Sequence, residues 1–138
     1  IIFGDSDVNR GLVILPTHRF FPEGHTMGTD KCRWESGNPF LSTGEVRDLF
    51  LRREDFTWVY LGAYKCTIDE VVDFEAVKDL HHSHPVIRTT VMHRNLVPPV
   101  VENVIEAMIS GGVLKVQCFG LECVGFSEQL DQALHDKN

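Results

Sequence analysis

Thr57-Trp58-Val59-Tyr60-Leu61-Gly62-Ala63-Tyr64-Lys65-Cys66 is the run on which the reading of this chain turns. Its ring and β-branched residues suit a pleated strand. Side chains alternate across a strand, so Trp58, Tyr60, Gly62 and Tyr64 are expected on one face. That face would carry two flat rings, a gap without a side chain, and a third ring. Such a set is either packed core or a surface that stacks a planar ligand, and the residue types leave both open.

Immediately upstream, Ser42-Thr43-Gly44-Glu45 spells a capping box. It predicts a helix through about Arg53, with Val46, Leu49 and Phe50 on the inner face. Gly11 to Leu15 reads as a short buried strand ending at Pro16. Residues 16–41 hold Pro16, Pro22, Gly24, Gly28, Gly37 and Pro39, which is too many breakers for a helix. A long ordered loop or a set of short strands is expected there, and long loops in compact domains often carry function.

Downstream of the aromatic run, Asp73 is placed to cap a helix that buries Phe74, Val77 and Leu80 and ends at His81-His82-Ser83-His84-Pro85. Val86 to Val91 has strand-like composition, whereas Met92 to Asn95 fits a turn or a short helix. Pro98-Pro99 opens a helix whose apolar positions are Val101, Val104, Ile105 and Met108, and Gly111-Gly112 stops it. Val113 to Phe126 reads as a strand or hairpin with Phe119, Leu121 and Cys123 on one alternate set, and Ser127 caps a terminal helix. The sum is an α+β chain, one globular domain over residues 1–138, with a curved, mainly antiparallel sheet flanked by three or four helices.

Composition narrows the function classes. The chain has 138 residues, 13 basic and 20 acidic side chains and a net charge of -7, which argues against a general polyanion binder. Residues 1–66 carry eight basic and nine acidic groups, and residues 67–138 carry five and eleven. A nucleic-acid surface would therefore draw on Arg10, Arg19, Lys31, Arg33, Arg52 and Arg53, whose plainer role is pairing with nearby acids. No apolar run approaches the roughly 20 residues that cross a bilayer, so no membrane partner is expected. The first residues, Ile1-Ile2-Phe3-Gly4, include no initiator methionine, the expectation for a domain excised from a longer protein. Cys32, Cys66, Cys118 and Cys123 form no C-x-x-C pair, so reduced thiols and an intracellular setting are expected.

Catalytic signatures are missing from the sequence: no G-x-G-x-x-G, phosphate loop, G-x-S-x-G or H-E-x-x-H occurs. A loop histidine, His18 or His25, beside Asp30 or Glu35 is what a hydrolase or transferase would use. Among the seven histidines, His81 and His84 would share a helical face as metal ligands, with His93, His18 or a cysteine as the third. Pro85 breaks that face, and a helix end rich in histidine is the simpler reading. No metal or other cofactor is assigned, and a noncatalytic role is favoured.

Leu49-Phe50, Trp58 to Cys66, Leu114-Lys115-Val116-Gln117-Cys118 and Leu121-Glu122-Cys123-Val124-Gly125-Phe126 together resemble a domain family of mushroom-forming (basidiomycete) fungi, over roughly residues 12–132, from which no activity carries over. A helix ending in Leu-Phe followed by Trp-x-Tyr-Leu-Gly-x-Tyr is also similar to the modified-base-binding domains that accompany bacterial HNH nucleases. That resemblance implies a partly closed PUA/SRA-like barrel and an aromatic cage for a flipped base. Such a reader needs rings to sandwich the base, hydrogen bonds to its edge and cations for the flanking phosphates. Trp58, Tyr60 and Tyr64 are the candidate rings, Asp30, Asn38 or Asp55 the candidate edge readers, and Arg19, Lys31 and Arg33 the candidate phosphate holders. Core packing for the rings and turn chemistry for Asp and Asn are the competing roles. The implied partner is DNA or RNA carrying a modified or unpaired base, in an intracellular, nuclear setting. A protein-interaction or structural module is the alternative to this binding role.

Overall fold

The structure, a computed structural model, describes residues 2–4, 7–22, 32–37, 40–80, 83–92 and 97–137. In chain order the strands are β1 (Ile2–Gly4), β2 (Asp7–Pro16), β3 (His18–Pro22), β4 (Cys32–Ser36), β5 (Val46–Arg52), β6 (Trp58–Asp73) and β7 (Lys115–Gly125). The helices are α1 (Ser83–Val91), α2 (Pro99–Ser110) and α3 (Glu128–His135), and a 3-10 turn, Phe74–Ala76, follows β6. A curled, mainly antiparallel sheet is ordered β1-β2-β7-β6-β5, and β3 and β4 form a separate antiparallel pair. The α+β class is thus as read, and the described residues hold three helices.

The chain divides into two compact units. The first comprises residues 1–13, 41–69 and 119–138, and its buried side chains include Val13, Leu41, Leu49, Tyr60, Tyr64, Cys66, Phe119 and Leu121. The second comprises residues 14–40 and 70–118 and buries Phe20, Phe74, Val77, Ile87, Val91, Ile105, Ile109 and Val116.

In the second unit, the described part of the breaker-rich segment holds the short strands β3 and β4, with Phe20 opposite Trp34 and Arg19 opposite Glu35. The helix expected at Asp73 is corrected: Asp73 ends β6, and only one 3-10 turn follows, although Phe74 and Val77 are buried as read. A helix lies instead at Ser83–Val91, and it takes in Val86 to Val91, whose composition is strand-like. Pro85 is tolerated because it falls in the first turn, where its missing N–H would have had no intrahelical acceptor. Ile87 and Val91, four apart, are the buried stripe, while Thr89 and Thr90 donate back to the carbonyls of Pro85 and Val86 at 2.8 and 2.7 Å. That back-bonding absorbs the polar groups of a sequence whose β-branched content suggested a strand. α1 packs on β3 and α2, and α2 starts with Pro99 at its first position and buries Ile105 and Ile109.

In the first unit, residues 42–53 are not helical, which corrects the capping-box reading. The Glu45 carboxylate does accept from the Ser42 N–H at 3.0 Å, but Glu45 N–H also donates to the Ser42 carbonyl at 2.9 Å and Gly44 sits at φ 90°. This is a turn, closed on β6 by Gly44 N–H to Cys66 O and Cys66 N–H to Glu45 O. The half-box therefore ends a loop and starts β5. The hydrogen bond from Ser42 and the neighbouring Arg47 hold the Glu45 carboxyl below its usual range.

β5 pairs with β6 from Val46↔Lys65 to Arg52↔Trp58, with a register shift between Leu49↔Gly62 and Phe50↔Tyr60 that leaves Leu61 as an extra residue on β6. Leu49 and Phe50 point to opposite faces, so their partners do as well. Tyr60 therefore joins Phe50 on one face, and Gly62 and Tyr64 join Leu49 and Arg47 on the other. The expectation that Trp58, Tyr60, Gly62 and Tyr64 share a face is overturned by this bulge. Gly62 allows it by adopting φ 123°, where an added Cβ would lie 2.9 Å from the Gly125 carbonyl oxygen and 3.3 Å from Cys123 Sγ. At α3, Ser127 caps as read, its hydroxyl accepting from Leu130 N–H at 3.4 Å.

Gly62→Ala is expected to cost at least about 2 kcal/mol, strain plus a backbone clash, in a urea unfolding titration. Gly44→Ala, at positive φ but with open space around the new methyl, is expected to cost only about 1 kcal/mol.

Candidate functional site

The bulge leaves one face of the β5–β6 hairpin rich in rings. Phe50 and Tyr60 lie 5.2 Å apart between centroids, and Tyr60 and Phe126 lie 4.9 Å apart. Tyr60 is the buried floor of this group, and its hydroxyl donates to Asp48 Oδ1 at 2.6 Å. Phe50, Trp58, Phe126 and Phe56 remain 42, 44, 55 and 70% exposed. Four large rings facing water on one short hairpin and its neighbouring strand end are more than scattered surface apolarity.

At the tip, Arg53 N–H donates to Thr57 O at 2.8 Å and Phe56 N–H to Arg53 O at 3.1 Å. Asp55 accepts from the Thr57 amide at 3.0 Å and from its hydroxyl at 2.7 Å, bonds that lower the Asp55 pKa. This tight loop needs a left-handed residue before the strand resumes, a position that suits glycine. Phe56 occupies it, at φ 69°, and a side chain there costs about 1–2 kcal/mol. The Arg52 guanidinium sits 4.8 Å from the Phe56 ring and 6.0 Å from the Trp58 ring. Cation–π attraction to both rings holds the tip residues beside one another.

Of the residues read as candidates, Trp58 and Tyr60 belong to this face, whereas Tyr64 is buried on the opposite side of the bulge. Asp55 is engaged in the turn. Arg19 and Arg33 belong to the second unit. Arg33 pairs with Glu35 at 2.8 Å and lies 5.5 Å over Phe21, and the Arg19 Nε is buried without a hydrogen-bond partner among the described residues. Asp30, Lys31 and Asn38 lie outside the described residues, as do His25, His81, His82 and His93. His18 Nδ1 is 3.0 Å from the Thr17 hydroxyl, which itself donates to Lys115 O at 2.9 Å. Among the described residues, no group of three or more His, Cys, Asp or Glu is placed to hold a metal ion. Cys66 and Cys118 are buried free thiols pushed up in pKa by desolvation.

Sequence reading missed Phe50, Phe56 and Phe126. Phe50 was spent on the inner face of a helix that is a strand. Phe56 carried a usable signal, since a bulky residue in the Glu54-Asp55-Phe56-Thr57 turn goes against turn chemistry.

The family model described as Domain of unknown function (DUF6697) matches residues 17–137. The chain belongs to this family. Comparison with curated proteins and with solved structures returns no match. In this DUF6697 domain, Leu49-Phe50 lies on a strand, which corrects the reading of a helix ending in Leu-Phe. Among the described residues, no helix is long and apolar enough to cross a membrane.

The Tyr60–Asp48 bond gives a pH signature. Hydrogen bonding to Asp48, then burial, raises the Tyr60 pKa above 10.0. A folded pKa above the unfolded value means that the stabilisation is complete below about pH 10 and is lost as pH climbs through the folded pKa. Tyr60→Phe is therefore expected to show a shallower alkaline fall in unfolding free energy than the parent chain, with the remaining slope left to Tyr64, Cys66 and Cys118, which burial also raises, and to Lys78, which the hydrogen bond to Glu75 raises.

Proposed function

We propose that this domain is a noncatalytic binding module whose ligand is a nucleic acid presenting an unpaired or modified base to the rings of the β5–β6 hairpin. The observation that carries this reading is Phe56, 70% exposed and held at a backbone angle that favours glycine, beside Arg52 and Trp58. The backbone strain costs about 1–2 kcal/mol, more than the roughly 0.5–1 kcal/mol that an exposed cation–π contact with Arg52 returns. Base–aromatic stacking contributes about 1–3 kcal/mol per base, enough to reward two exposed rings. Arg53 follows Arg52 at the strand end, where it can meet a phosphate, while the net charge of -7 keeps non-specific duplex binding weak.

The remaining likeness to PUA/SRA-like readers of modified bases supports the same ligand class, and the likeness to basidiomycete domains goes with a fungal, nuclear setting. Extruding a base from a duplex costs a few kcal/mol, so the module is expected to favour substrates in which that cost is already met.

Anisotropy titrations of the chain with single-stranded, base-modified and plain duplex oligonucleotides at several salt concentrations test this. Single-stranded or modified probes should bind tighter than duplex, and Trp58→Ala should lose about 1–3 kcal/mol of affinity. Arg53→Ala should lower the salt dependence. Phe56→Gly should weaken binding while raising unfolding stability by about 1 kcal/mol, a combination that a purely structural ring would not give. Absence of binding to every probe would overturn the proposal.

A further inference from the structure

β5 closes one end of the five-strand order, and apart from Leu49 every residue from Val46 to Arg52 is exposed. An edge strand that carries Phe50 and Leu51 into water is a template for another strand, and proteins commonly protect such edges with charge. Here the charges are of both signs: Asp48 and Arg52 lie four apart and, by alternation, on the same face as Phe50.

We propose that β5 pairs with β5 of a second copy of this chain, antiparallel, about a two-fold axis at Phe50. A two-fold axis perpendicular to the sheet keeps the faces matched, so opposed residues must come from the same alternate set. Centring it on Phe50 opposes Asp48 to Arg52 of the second copy twice, flanking the Phe50–Phe50 pair. On the other face, Leu49 meets Leu51. Opposite charges and apolar pairs directly across a ladder are its stabilising units.

The neighbouring register, centred on Leu49, sets Asp48 against Phe50 and Arg52 against Val46, and leaves both charges facing apolar groups. The chosen register does oppose Arg47 to Arg53, but Arg47 is already neutralised by Glu45, with contacts of 2.5 and 2.6 Å. Self-complementary charge is what selects a second copy over an acidic or basic peptide. Such a peptide would satisfy one of Asp48 and Arg52 and oppose the other.

Sedimentation velocity of the chain over a wide concentration range is expected to show a monomer–dimer equilibrium. Asp48→Arg and Arg52→Asp should each weaken dimerisation about tenfold or more, and the double exchange should restore it, because the pairing is reciprocal. Circular dichroism of each variant reports whether it folds. Independently, Phe50→Cys should cross-link to itself under oxidised glutathione, since directly opposed Cα atoms lie about 4.5–5.5 Å apart, within disulfide reach. Leu51→Cys, opposed to Leu49, should not. A monomer at every concentration, a double exchange that fails to restore the dimer, or a dimer without the Phe50→Cys cross-link would overturn the proposal.

Discussion

The register shift between β5 and β6 is the constraint on which the account of this chain depends. One extra residue, Leu61, changes which side of the sheet every later side chain of β6 occupies. Before the shift, Trp58 and Tyr60 belong to the face of Arg52 and Phe50. After it, Gly62 and Tyr64 belong to the face of Leu49, and Tyr64 and Cys66 are buried. A strand that sequence alternation makes uniform thus serves two surfaces. Gly62 makes the shift possible, because its backbone angle and its closeness to the Gly125 carbonyl both exclude a side chain.

The ring face gains its chemical character from this division. Tyr60 ties the group to the sheet through Asp48 and supports Phe50 and Phe126, while Arg52 supports Phe56 and Trp58. Rings anchored in this way would pay little conformational entropy on stacking the flat ligand of the proposed function. The strained Phe56 and the exposed apolar residues of β5 show the same pattern of local cost retained at one end of one hairpin, which is where functional surfaces tend to break the rules of folding.

Much of the fold was legible from local chemistry. The strand from Trp58, the helix opened by Pro99 and closed by Gly111-Gly112, and the Ser127 cap each depend on interactions within a few residues, and each is present. The errors arose where a local motif fits two backbones. Ser42 and Glu45 make half of a capping box inside a turn, with Gly44 at a positive φ that no helix uses. Val86 to Val91 looked like a strand until the spacing of Ile87 and Val91 was given a core to face. The bulge itself left no periodic trace except a glycine in a strand, a signal shared with close backbone approach. For the site, Trp58 was legible and Phe50, Phe56 and Phe126 were not, because they come from β5, the β5–β6 turn and the end of β7, which only the folded sheet brings together.

Nuclear Overhauser contacts across the β5–β6 ladder test this account most directly. The expected pattern is ring-to-ring contact between Phe50 and Tyr60, backbone contact between Leu49 and Gly62, and extended-chain sequential contacts through residues 46–52. Helical sequential contacts over that stretch, or an unbroken register that sets Leu49 opposite Leu61, would contradict it.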